Sequence, residues 1–129
     1  HGVNIRGLMG AGIAPIFARE YPEMHTAYIE ECKSGRLVPG TTFLWEDSNG
    51  DIILNVASQD NPGRNARITW LEDGMNDAIN KLKARGEQDI VIALPRIGCG
   101  IGGLDWKDVE PLLAGIAAEH QITFEVWTL

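Results

Sequence analysis

The sequence predicts an α/β fold of three layers, with helices on both faces of a mixed sheet. Three observations carry that expectation. Apolar spacing switches repeatedly between the helical and the strand period. A short continuous apolar run, IVIAL at residues 90–94, has the pattern of a strand buried on both faces between helices. The elements come in the order helix, hairpin, helix, strand, helix, strand, which mixes antiparallel and crossover connections. With 129 residues and 14.1 kDa, the chain accommodates a single domain, 1–129, and no second core.

Each element has a local reason. Ile13, Ile16 and Phe17, then Tyr28, Ile29 and Cys32, recur at three- and four-residue intervals, so residues 11–33 are expected to form two helices broken near Pro22. Residues 42–46 and 51–57 flank Asp47-Ser48-Asn49-Gly50, whose Asn-Gly pair supplies the positive φ of a tight hairpin turn. Ile68, Leu71, Met75, Ile79 and Leu82 keep the helical period, with Thr69 and Glu72 at capping-box spacing and Gly86 just past the end. Residues 104–119 read as a helix capped by Asp105, with Val109, Leu112, Leu113 and Ile116 inward and Pro111 removing one interior hydrogen bond. Residues 122–129 alternate Ile122, Phe124 and Val126 against Thr123, Glu125 and Trp127, the period of a closing strand. The remaining stretch, SQDNPGRNAR at residues 58–67, is ten residues long where connections usually take about 4–6, so it is either mobile or functional.

Composition narrows the function. Eleven basic and eighteen acidic residues give a net charge of −7 and a pI near 4.8, a field that repels polyanions, so a non-specific nucleic-acid binder is not expected. No apolar run approaches the ~18 residues of a membrane span, and HGVNIRG at the start lacks the apolar core of a signal peptide, so a cytoplasmic location is expected. Cys32 and Cys99 are then reduced thiols, and no zinc site or other cofactor is implied.

Two glycine-rich loops, Gly7-Leu8-Met9-Gly10-Ala11-Gly12-Ile13-Ala14 and Gly98-Cys99-Gly100-Ile101-Gly102-Gly103, each precede a helix. Glycine lets backbone approach a ligand closely and aim successive N–H groups at one oxygen, and the helix dipole adds partial positive charge. Two such loops can clamp a diphosphate, which lets an acidic protein bind a phosphorylated small molecule. Neither loop matches the P-loop or the GxGxxG fingerprint; the bland alternative is that the glycines only make turns and caps. Cys99, beside amides that lower a thiol pKa, is either reactive or loop filler. His25 and His120 read as surface residues, and Trp70 and Trp106 as packing beside helix caps.

Gly10-Ala11-Gly12-Ile13-Ala14 before an aromatic-rich helix, Asn4 upstream, the run from Leu94, Pro95, Arg96, Ile97 through Gly103-Leu104-Asp105-Trp106, and the closing Val126-Trp127-Thr128-Leu129 together resemble the macro domain. The likeness is to the branch holding the terminal ADP-ribose protein glycohydrolase, the DNA ADP-ribosyl glycohydrolase antitoxins and the yeast ADP-ribose-1″-phosphate phosphatase. It implies an α/β/α sandwich that binds ADP-ribose or a related NAD-derived nucleotide. By resemblance, Asn4 contacts the distal ribose, Met9, Gly10, Ala11, Gly12, Ile13 and Ala14 form the loop over that ribose and the diphosphate, and Gly98, Cys99, Gly100, Ile101, Gly102 and Gly103 form the second diphosphate loop. Ser58, Pro95 and Ile97 belong to the same binding set. The family's opening strand, with its adenine-gripping acid, has no counterpart after His1, so the chain is expected to lack that strand.

The resemblance departs from the glycohydrolase pattern where chemistry is done. Their catalytic lysine aligns with Gln59, and the protein glycohydrolase's aspartate aligns with Gly102. The phosphatase also lacks the lysine and has a histidine three residues before the ribose asparagine, the place His1 holds relative to Asn4. The expected activity is therefore hydrolysis of ADP-ribose-1″-phosphate or an ADP-ribose ester by a water placed between the loops and Asn4, His1 or Asp60, with His1, Asp60 and Gln59 as the catalytic candidates. A reader that binds ADP-ribose without turnover is the alternative, and a glycohydrolase acting on ADP-ribosylated protein or nucleic acid a further one.

Overall fold

In the computed structural model, residues 1–128 are described. The chain runs β1 (Gly2–Val3), α1 (Ala14–Glu20), α2 (Pro22–Lys33), β2 (Thr42–Glu46), β3 (Ile52–Ala57), α3 (Ile68–Ala84), β4 (Val91–Leu94), α4 (Trp106–His120) and β5 (Thr123–Val126). Pairing is mixed, as expected. β3 lies between β1, parallel to it, and β2, antiparallel through the hairpin, while β4 and β5 pair in parallel. Among the described residues no helix is long and apolar enough to cross a membrane.

The period-two alternation of β3 places its residues in two cores. Val56 packs with Leu71, Met75 and Ile79 of α3 and Val109 and Leu113 of α4, whereas Ile53 and Ala57 pack with Met24 and Tyr28 of α2 and with Val3. Helices thus cover both faces of the β1-β3-β2 sheet. Gly74 of α3 is the contact point, since a Cβ there would lie 2.7 Å from Val56 Cγ1. The outer edge of β2 is closed by α3: Thr42 N donates to Asp77 Oδ2 at 2.9 Å, and Lys81, paired with Asp77 at 2.8 Å, donates to the Thr42 carbonyl. An edge plugged by side chains offers less to a foreign strand.

Four local expectations are corrected. β1 was not foreseen, because two residues are too short to show a period; its pairing with Val56 and Ala57 defines it. β4 is not buried on both faces: Ile92 and Leu94 are buried, but Val91 and Ala93 are exposed, because α1 and α2 cover β1-β3-β2 and leave this face of β4 and β5 open. Thr69 does not cap α3, which starts at Ile68 behind Arg67 with no side-chain cap bond. The closing strand is paired over Thr123–Val126 only, and Leu129 lies outside the described residues. By contrast α4 begins as expected, with the Asp105 carboxylate accepting from Lys107 N at 3.1 Å.

Candidate functional site

A cleft of about 1180 Å³ opens where the C-terminal ends of β1, β3, β4 and β5 meet the two glycine-rich loops. This is where ligands bind in open α/β sheets, since helix N-termini and unpaired loop amides gather there. Residues 7–14 form one wall and residues 95–106 the other; Ser58, Gln59 and residues 62–64 come from the long loop, and Trp127 and Thr128 follow β5. The long loop is ordered: Arg67 N donates to Ser58 O at 3.0 Å, and Ala66 N to Gly102 O at 3.1 Å.

Both loops offer donors. Among the described residues, the main-chain N–H groups of Gly10, Ala11 and Gly12, and of Gly98, Ile101 and Gly102, meet no acceptor within hydrogen-bond geometry. Unpaired amides in apposed loops suit anionic oxygens. Arg64 and Arg96 line the same cleft, and neither has a carboxylate within ion-pair distance among the described residues. The Arg96 guanidinium lies 5.5 Å from the centroid of the Trp106 ring. Two arginines against one carboxylate, Asp105, leave the cleft lining with an excess of positive charge on an acidic protein.

Asn4 shapes the first loop from inside. Its Nδ2 donates to Leu8 O at 2.8 Å, its Oδ1 accepts from Arg6 N at 2.8 Å, and the Tyr28 hydroxyl donates to its carbonyl at 2.7 Å. Burial pushes the Tyr28 phenol well above its ordinary pKa and keeps it a neutral donor. Asn4 lines the cleft, but these bonds engage its amide in the fold of residues 4–8.

The other sequence-derived residues divide. Met9 to Ala14, Ser58, Gln59, Pro95 and the second loop with Ile97 all line the cleft. Gln59 Nε2 donates to Asn61 O at 2.7 Å, and its Oε1 accepts no hydrogen bond among the described residues. Asp60 is half-buried and lies outside the cleft wall. His1 is not there either. Its ring stacks on Phe17 at 4.2 Å, and its Nε2 lies 2.8 Å from Asn55 Oδ1. The reason is parity: side chains alternate along an extended strand, so residues three apart point to opposite sides. For Cys99 the filler alternative fits the structure: burial, then Asp105, pushes its thiol up, and Sγ donates to Ile97 O at 3.4 Å.

Several lining residues went unforeseen. His25 is not merely on the surface but reaches the cleft with Ile29 of α2; Arg64, Trp106 and Trp127 line it too. A signal existed for Arg64 and Trp127, since one lies in the over-long loop and the other in the closing segment 126–129 that resembles the family.

The Macro domain family matches residues 1–113. The chain is 37% identical over 115 residues to a DNA ADP-ribosyl glycohydrolase of Mycobacterium tuberculosis, a match covering 86% of this chain and 32% of that protein, so it spans about a third of that relative's length. It is 28% identical over 124 residues to an ADP-ribose 1″-phosphate phosphatase of Lodderomyces elongisporus, covering 88% and 76%. The solved macrodomain of Mycobacterium tuberculosis DarG superposes with a TM-score of 0.85 at 32% identity, over 98% of this chain and 84% of that one.

Proposed function

Because this chain belongs to the macro-domain family, we propose that its cleft binds ADP-ribose, with the diphosphate between residues 9–14 and 98–103, and hydrolyses a derivative such as ADP-ribose-1″-phosphate or an ADP-ribose ester. The observation that carries this reading is the set of unpaired amides on both loops of one cleft. Such donors bind pyrophosphate oxygens and, in hydrolysis at phosphorus, stabilise the charge that grows on the equatorial oxygens. Gln59, with Oε1 free, orients the attacking water; it carries no charge and forms no adduct, so cleavage of a glycosidic bond by lysine chemistry is not expected. Asp60, outside the cleft wall, and His1, stacked on Phe17, take no part.

A second reading, a reader of ADP-ribose without turnover, is favoured by the lack of an ionisable group at Gln59 and at Gly102. ADP-ribosylated protein or nucleic acid is the larger partner for the reader, whereas ADP-ribose-1″-phosphate needs none; relatives about three times as long supply the glycohydrolase alternative. The test is thermal denaturation with ADP-ribose followed by a turnover panel. Free ligand at ~100 times its Kd should add roughly 2.7 kcal/mol of stability. An unchanged melting temperature at millimolar ADP-ribose refutes binding. Release of phosphate from ADP-ribose-1″-phosphate supports the hydrolase, binding without turnover of any substrate selects the reader, and fast release from modified protein or single-stranded DNA overturns the assignment of Gln59.

A further inference from the structure

Arg64 is the one residue of the long loop 58–67 that brings a charge to the cleft wall. Its place is fixed from two sides. Beneath it, Asn65 holds the turn, with Nδ2 donating to Pro62 O at 2.7 Å and N donating to Gly63 O at 2.9 Å. The loop in turn is docked on the second glycine-rich loop by Ala66 N, which donates to Gly102 O at 3.1 Å. Gly103, at φ +86°, has no side chain, so Arg64 lies against the loop backbone: a Cβ on Gly103 would stand 3.3 Å from both the Cβ and the Nε of Arg64. The guanidinium has no carboxylate within ion-pair distance among the described residues, and Asp105, the one carboxylate of the cleft lining, is 3.6 Å from Lys107 Nζ.

Resting on the proposed function, we infer that Arg64 is a specificity determinant that bonds a phosphate carried by the terminal sugar, so that the cleft selects a phosphomonoester of ADP-ribose over its neutral esters and over ADP-ribose itself. In that function Gln59 orients the attacking water, and Arg64 stands in the same ordered loop, on the same wall. Gln59 is uncharged and Gly102 has no side chain, so Arg64 is the charge this wall offers to a group under attack. A phosphomonoester presents nearly two negative charges and three acceptor oxygens, which a guanidinium meets with a fixed fork of donors. A neutral ester presents neither, and leaves the arginine to water.

The experiment is titration calorimetry with ADP-ribose and with a non-hydrolysable phosphonate analogue of ADP-ribose-1″-phosphate, which stays intact whether or not the protein turns the phosphate over. Wild type is expected to bind the phosphonate about tenfold more tightly than ADP-ribose. Arg64→Gln should erase that preference, with a much smaller loss for ADP-ribose, and Arg64→Lys should keep part of it, because an ammonium supplies the charge without the fork. Arg19→Gln, at an exposed position of α1 outside the cleft lining, removes the same charge from the molecule and should keep the preference whole. No preference in wild type, a preference that survives Arg64→Gln, equal losses for the two ligands in Arg64→Gln, or a preference lost in Arg19→Gln as well overturns the inference while leaving the cleft's function intact. Failure of wild type to bind either ligand overturns both.

Discussion

Gly100 and Gly102 sit in one loop and lack a side chain for opposite reasons. A Cβ on Gly100 meets nothing within 4 Å, whereas one on Gly102 would lie 2.7 Å from Gly98 O and 2.8 Å from Ala66 Cβ. The first position is kept bare for something that arrives, the second for the chain's own packing. Gly100→Val should therefore melt close to wild type and lose the ADP-ribose-induced shift. Gly102→Ala should lose about 1–3 kcal/mol in urea denaturation, because its neighbours are backbone and a short side chain with little room to move. A wild-type melting point in Gly102→Ala would refute the close packing. The same contacts leave no room for the side chain of Gly102→Asp unless the backbone shifts.

Among elements, the two core helices after the long loop begin differently. Asp105 caps α4 through a carboxylate bond to Lys107 N, while α3 starts behind Arg67 with Thr69 already inside the helix and no side-chain cap. Asp105→Ala should cost about 1 kcal/mol of stability, and Thr69→Ala should change it by less than about 0.5 kcal/mol, both read from denaturant midpoints. Comparable losses would mean that Thr69 does cap. A Thr-x-x-Glu spacing satisfies the sequence pattern wherever it falls, but a cap needs its residue at the boundary, and here the turn at Arg67, tied to Ser58 O, sets that boundary one residue before Ile68. The hairpin and the α1–α2 break were legible because Asn-Gly and Pro22 act on their own backbone.

For the whole molecule, charge is divided in space. Of the eleven cations, Arg36, Lys81, Arg85 and Lys107 form ion pairs with carboxylates among the described residues, and two of the others, Arg64 and Arg96, line the cleft, with Asp105, of a chain with net charge −7. A small dianion reaches those cations and the loop amides; an extended polyanion also meets the acidic remainder. Unmodified single-stranded DNA should thus give no mobility shift at about 150 mM salt, under conditions where ADP-ribose shifts the melting temperature. Tight binding of the unmodified strand would show that the arginines outweigh the net charge.

Glycine loops, turn residues and apolar periods act over a few bonds, so the α/β order, the mixed sheet and the two ligand-facing loops were determined by the sequence alone, and with them most of the cleft wall. Partners distant in the chain were decided by tertiary structure. Sidedness removed His1 from Asn4, burial raised the Cys99 thiol that local amides were expected to lower, and the layer of α1 and α2 stopped short of β4. Ser58 is the clearest case. The resemblance placed Ser58 in the binding set, but only the packing of β1 against β3 shows its hydroxyl buried and without a partner among the described residues.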